Sequence, residues 1–139
     1  MRYADAPIDT ARASKRLHIA LWTVQILLAL VFAVTGAMKV TQPIETLPAS
    51  LAGVPLPLVR FIGVAELLGA AGLILPAATR IAPALTPLAG LGLTLVMLFA
   101  SLVHVSRGEP THVLLPVVLG ALSALIAWGR WTRAPIATR

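Results

Sequence analysis

Residues 17–38 read LHIALWTVQILLALVFAVTGAM. No Asp, Glu, Lys or Arg interrupts this run, and Lys39 closes it. At the rise of an α-helix it spans about 30 Å, the thickness of a bilayer's hydrocarbon core. Trp22 lies near its start, where interfacial aromatics sit. Three further apolar runs follow, at about 57–75, 83–104 and 112–128. Pro57 suits the first turn of a helix, where a missing N–H costs nothing. Pro76 is expected to end the second span, and Pro87 to kink or fray the start of the third. Pro116 lies near the start of the fourth. The expected fold is all-α: an integral membrane four-helix bundle over residues 17–133.

Composition agrees with that pattern. Hydrophobic residues make up 58% of the 139-residue chain and charged residues 12%, about half the charged share of a soluble domain. A soluble fold of this size has too little interior to hide so much apolar surface. The formal net charge is +6, but the basic residues cluster at the ends and connections, with no basic stripe interleaved with aromatics. They read as topology signals and headgroup contacts, not as a nucleic-acid surface. The absence of cysteine removes disulfides, thiol relays, iron–sulfur ligation and zinc–thiolate sites.

The flanks and connections complete the plan. Residues 1–16 read as a basic tail, disordered or interfacial, with Arg2, Arg12, Lys15 and Arg16 against Asp5 and Asp9. The apolar run behind them is too long for a signal-peptide core and lacks an A-x-A site, so it reads as a retained anchor. Residues 40–55 hold Pro43, Pro48, Gly53 and Pro55 and are expected to form a loop with a short helical turn or re-entrant piece. Residues 134–139 form a second tail. With both termini on one side, that side carries Arg2, Arg12, Lys15, Arg16, Arg80, Arg130, Arg133 and Arg139, and the other Lys39, Arg60 and Arg107. Eight against three predicts that both termini are cytoplasmic.

Glu66 is the most informative residue. It lies nine residues past Pro57, about 14 Å into the bilayer, where a carboxylate costs roughly 2.5–3.5 kcal/mol on insertion scales. It is expected to face the bundle interior, protonated or paired with a cation. Gly63 and Gly69 flank it at i±3, with Gly36 on the first helix and Gly72 one turn further along the second. Such small residues let helix backbones approach closely. Candidate partners are Lys39, whose stem can reach inward, Arg60, and His104 at the end of the third span. These four are expected to gather as one polar cluster, binding a ligand or relaying a proton. The alternative is that the buried pair only sets helix register, with Lys39 and Arg60 snorkelling and His104 solvated. Gln25 reads as an interhelical hydrogen bond, and Met97 as core packing. His112 has no third ligand at helical spacing, so no metal site is expected.

Three stretches together resemble the DoxX-like family of small bacterial membrane proteins. They are Thr35-Gly36-Ala37-Met38-Lys39, then Gly63-Val64-Ala65-Glu66-Leu67-Leu68-Gly69-Ala70-Ala71-Gly72-Leu73, then Ser101-Leu102-Val103-His104. The resemblance implies a four-helix bundle in the bacterial cytoplasmic (inner) membrane, with the family's polar positions at Lys39, Glu66 and His104. Members include a subunit associated with thiosulfate:quinone oxidoreduction, a mycobacterial protein tied to oxidative-stress enzymes and, more distantly, an animal receptor chaperone. Most have no assigned activity. Lacking cysteine, this chain departs from similar bundles that perform thiol–quinone chemistry.

Three functional readings follow. In the first, the chain is a membrane subunit binding a small lipophilic ligand, a quinone being the leading class. With no thiol or flavin motif it would depend on a membrane-protein or oxidoreductase partner. In the second it is an assembly factor or scaffold without a ligand. In the third it is a proton-coupled transporter, for which four spans are thin unless it forms a homo-oligomer. No nucleophile with a base at recognisable spacing appears, so autonomous catalysis is not expected.

Overall fold

The computed structural model describes residues 6–139, with side chains from residue 12. Residues 1–5, and with them Arg2 of the charge count, lie outside the described residues. The described chain is all-helical. Helix α1 runs Ala6–Thr41, α2 Leu56–Thr79, α3 Leu85–Ser106 and α4 Pro110–Trp128. All four are long and apolar enough to cross a membrane. They pack antiparallel in sequence order, α1 on α2, α2 on α3 and α3 on α4, and α4 returns to touch α1.

Two boundaries differ from the sequence expectation by more than three residues. Residues 6–16 are not a separate segment but continue the same helix as the first span. The second helix does not end at Pro76, which is buried inside α2. A proline removes its own N–H bond and crowds the carbonyl four residues back, but the residues after it keep their N–H donors, and α2 runs on to Thr79. The helix stops instead where Arg80 turns into the left-handed region, at φ 59°, a common way to close a helix. In the 42–55 connection, two short 3₁₀ turns at Ile44–Thr46 and Ala49–Leu51 use the prolines just before them. After α4, residues Gly129–Arg133 wind into a π-helical turn, closed by a bond from the Ala134 amide to the Gly129 carbonyl at 2.8 Å.

The interior is thin and built from apolar side chains set against small ones. Leu21, Leu28, Phe32, Leu73, Leu93 and Ile126 are nearly inaccessible. Leu30, Val34, Phe61, Leu68, Phe99 and Leu114 face outward, each 59–70% exposed. In water such a surface would be untenable; against acyl chains it is the solvent-matched face. The helices touch through small residues because lipid tails give apolar side chains no reason to hide, and close packing must supply the attraction. Gly69 lies against Leu93, and Gly72 against Ala89. Between α1 and α2 the backbones themselves meet: a Cβ on Gly36 would lie 2.8 Å from the Gly63 carbonyl oxygen, and one on Gly63 2.9 Å from the Gly36 carbonyl.

That contact is backbone on backbone and has no side chain to yield. Gly36→Ala should therefore destabilise the bundle by about 1–3 kcal/mol, the usual cost of overpacking. Gly92→Ala, whose Cβ would enter open space, should be neutral or slightly stabilising, since alanine favours the helix. Unfolding of both variants in mixed micelles checks the contrast.

Candidate functional site

Along α1, Thr35, Gly36 and Lys39 share one face, spaced as neighbours one turn apart. The Gly36–Gly63 contact draws that face onto α2, and Glu66 arrives between Thr35 and Lys39. Lys39 Nζ donates to both carboxylate oxygens of Glu66, at 2.9 and 2.7 Å, and Thr35 Oγ1 donates to Oε2 at 3.0 Å. Glu66 is 2% exposed and the Lys39 side chain 16%. A carboxylate in hydrocarbon thus has a counter-ion and three hydrogen bonds, which offset the cost of placing it there.

Arg60 joins this site through the backbone. Its Nη1 donates to the Lys39 carbonyl and its Nη2 to the Gln42 carbonyl at 2.7 Å. It caps the end of α1, where carbonyls lack partners within the helix, and holds Lys39 from behind. No ion pair joins it to Glu66 among the described residues.

His104 does not belong to the cluster. With Gly69 opposite Leu93 and Gly72 opposite Ala89, the antiparallel register sets His104 level with Leu58. That is eight residues, about 12 Å of rise, from Glu66. Its Nδ1 lies 2.8 Å from Glu109 Oε2, and its ring stacks on His112 with centroids 5.6 Å apart. The expected four-residue cluster is a three-residue one plus Thr35, with His104 in a separate group at the α3–α4 turn. No group of three or more His, Cys, Asp or Glu converges as a metal site among the described residues.

A second buried polar group lies at the opposite end of the bundle. Gln25 donates from Nε2 to the Leu73 carbonyl at 2.8 Å, and its Oε1 accepts from Arg130 Nε at 2.5 Å. Arg130 is 2% exposed. Its Nη1 donates to the Ala134 carbonyl at 3.2 Å and faces His18 Nδ1 at 3.1 Å, and its guanidinium lies 5.6 Å from the centre of the Trp22 ring. From sequence, Arg130 read as one of the basic topology signals at the ends and connections of the spans. Two spacings could have found it. His18, Trp22 and Gln25 fall at i, i+4 and i+7 on α1, and Arg130 extends the buried stripe of Gly120, Ser123 and Ile126 on α4.

The Lys39–Glu66 pair should be costly to break and cheap to replace. Lys39→Met alone leaves a buried charge uncompensated, a loss of about 3–5 kcal/mol, whereas Lys39→Met with Glu66→Leu should recover most of it. A double-mutant cycle of unfolding in micelles measures this coupling. At the α3–α4 turn, the hydrogen bond from His104 holds the Glu109 carboxyl below the usual carboxylate range; nearby Arg107, His104 and His112 charges add to this, and partial desolvation opposes it. The folded pKa is depressed, so this contact's contribution is present above the unfolded value and fades as pH falls through the folded one. A carbon-detected NMR titration should place the Glu109 midpoint below that of an unstructured glutamate, and His104→Ala should move it upward.

Neither a curated protein nor a solved structure matches the chain. The model of the DoxX-like family matches residues 23–126, from within α1 to near the end of α4. The match takes in Lys39, Arg60, Glu66 and His104, and leaves out His18 and Arg130. This multi-pass membrane protein belongs to the DoxX-like family.

Proposed function

We propose that the chain is a membrane subunit that binds a small lipophilic ligand with a carbonyl head group, a quinone being the leading class, beside the Lys39–Glu66 pair. An ammonium carries three N–H donors. Lys39 directs two hydrogen bonds to Glu66, and its side chain keeps a small exposed fraction. That remaining donor, at the edge of an apolar bundle, is the observation that carries the reading. It suits a ligand carbonyl arriving from the hydrocarbon, where one charge-assisted bond is stronger than in water. Glu66 behind it would act as the proton relay. Because the chain has no thiol, electrons would come from a partner oxidoreductase or stress-response enzyme. On the Lys/Arg count, both termini face the cytoplasm in this reading.

A second reading rests on the saturation of Glu66, with three hydrogen bonds, and on the Gly36–Gly63 contact. Here the pair only locks α1 to α2, and the protein serves as a scaffold for another membrane protein. One variant separates the two. Lys39→Met/Glu66→Leu keeps the volume and removes the charge, so the fold should persist. If a ligand binds there, a short-chain benzoquinone titrated calorimetrically into protein in nanodiscs should bind the parent chain and bind the double variant at least tenfold more weakly. Absence of binding to the parent, with full biological activity in the double variant, selects the scaffold.

A further inference from the structure

The Arg130 group has more donors than acceptors. Of five guanidinium N–H groups, Nε is bonded to Gln25 and the two on Nη1 are directed at Ala134 and His18. Nη2 is buried with no hydrogen-bond partner. His18 deepens the excess. Its Nε2 faces the Trp22 indole N–H at 3.1 Å, while its Nδ1 faces Arg130 Nη1. A neutral imidazole accepts at one nitrogen only, so one of these contacts sets donor against donor. No carboxylate reaches Arg130 among the described residues. Asp9, the nearest acidic position along α1, precedes His18 by nine residues, about 14 Å of rise.

Directly beside this group opens a cleft of about 530 Å³ lined by Ser14, Lys15, His18, Arg133, Ala134 and Pro135. His18 and Ala134 are shared, contacting Arg130 on one side and lining the cleft on the other. Lys15, Arg133 and Ser14 add further donors from its exposed walls. Trp128 and Trp131 are 50% and 61% exposed at the same end, and the Arg133 guanidinium lies 5.2 Å from the centre of the Trp128 ring. Exposed tryptophans beside arginines mark the headgroup level of a bilayer, where basic pockets between helices take acidic lipid heads.

We propose that this cleft binds the phosphate of an anionic phospholipid, with Lys15, Arg133 and His18 at the head group and Arg130 supplying the buried positive field behind them. This site is independent of the Lys39–Glu66 reading: it lies at the other end of the bundle and outside the segment that matches the family.

The test uses the full chain in nanodiscs of phosphatidylcholine, with phosphatidylglycerol added in steps and bound lipid counted by native mass spectrometry. The parent chain should retain phosphatidylglycerol at least tenfold more strongly than phosphatidylcholine and should melt at a higher temperature once it is present. Lys15→Gln/Arg133→Gln, which alters exposed walls and leaves the buried group intact, should lose that preference while melting normally in phosphatidylcholine alone. Arg12→Gln/Arg16→Gln removes the same charge outside the cleft and should keep the preference within about twofold, the distinction from diffuse attraction. Equal retention of the two lipids by the parent chain, or an unchanged preference in Lys15→Gln/Arg133→Gln, overturns the proposal. Inorganic phosphate displacing phosphatidylglycerol at equal concentration would reassign the cleft to a free anion and overturn the lipid assignment.

Discussion

Hydrocarbon offers no hydrogen bonds, so every polar group this chain carries into the bilayer must find its partner inside the protein. That requirement organises the α1–α2 interface. Glu66 can be accommodated because Lys39 and Thr35 meet it. They can meet it because Gly36 and Gly63 let the two backbones approach almost to contact. Arg60 in turn satisfies the carbonyls that the end of α1 leaves open. Small residues, ion pair and cap form one device: with larger side chains at the glycines the helices would separate, and the carboxylate would lose its partners.

The same requirement is met at one end of the bundle and left partly open at the other. At the Lys39 end a carboxylate faces an ammonium, and the acceptors of Glu66 are filled. At the Arg130 end a guanidinium is buried with a glutamine, a histidine and a carbonyl, none of which carries negative charge. A cation stabilised only by dipoles and by the face of Trp22 keeps its field. The π-helical turn contributes by bonding the Ala134 amide back to Gly129, which fixes the residue whose carbonyl accepts from Arg130. Such turns are uncommon and concentrate at functional sites.

The four spans were legible because length and hydropathy alone decide them, and a bilayer tolerates few alternatives. Glu66 was legible for the related reason that its burial cost demanded a partner, though sequence alone left Lys39, Arg60 and His104 all as candidates. The rest depended on quantities a single span does not carry. Whether His104 meets Glu66 depends on the vertical register of α2 against α3, which is set where Gly69 and Gly72 receive Leu93 and Ala89. Whether Pro76 ends a helix depends on the residues after it, which keep their N–H donors. Arg130 was hidden because arginine near a membrane edge usually snorkels; only the buried stripe continuing through Gly120, Ser123 and Ile126 marks it as inward-facing.

The family match covers the clasp and stops short of the cation. That division has a physical sense. The contact between α1 and α2 is needed for any chain with this arrangement, since it solves the problem of a carboxylate at depth. The Arg130 group answers a different demand: it satisfies the buried Gln25 side chain and the Ala134 carbonyl, but leaves its own Nη2 donors without a partner. A buried cation with no carboxylate beside it among the described residues is costly to hold. That uncompensated charge lies behind the cleft lined by Lys15, His18 and Arg133, and it gives the cleft a chemical direction, toward an acceptor that the described chain itself does not provide.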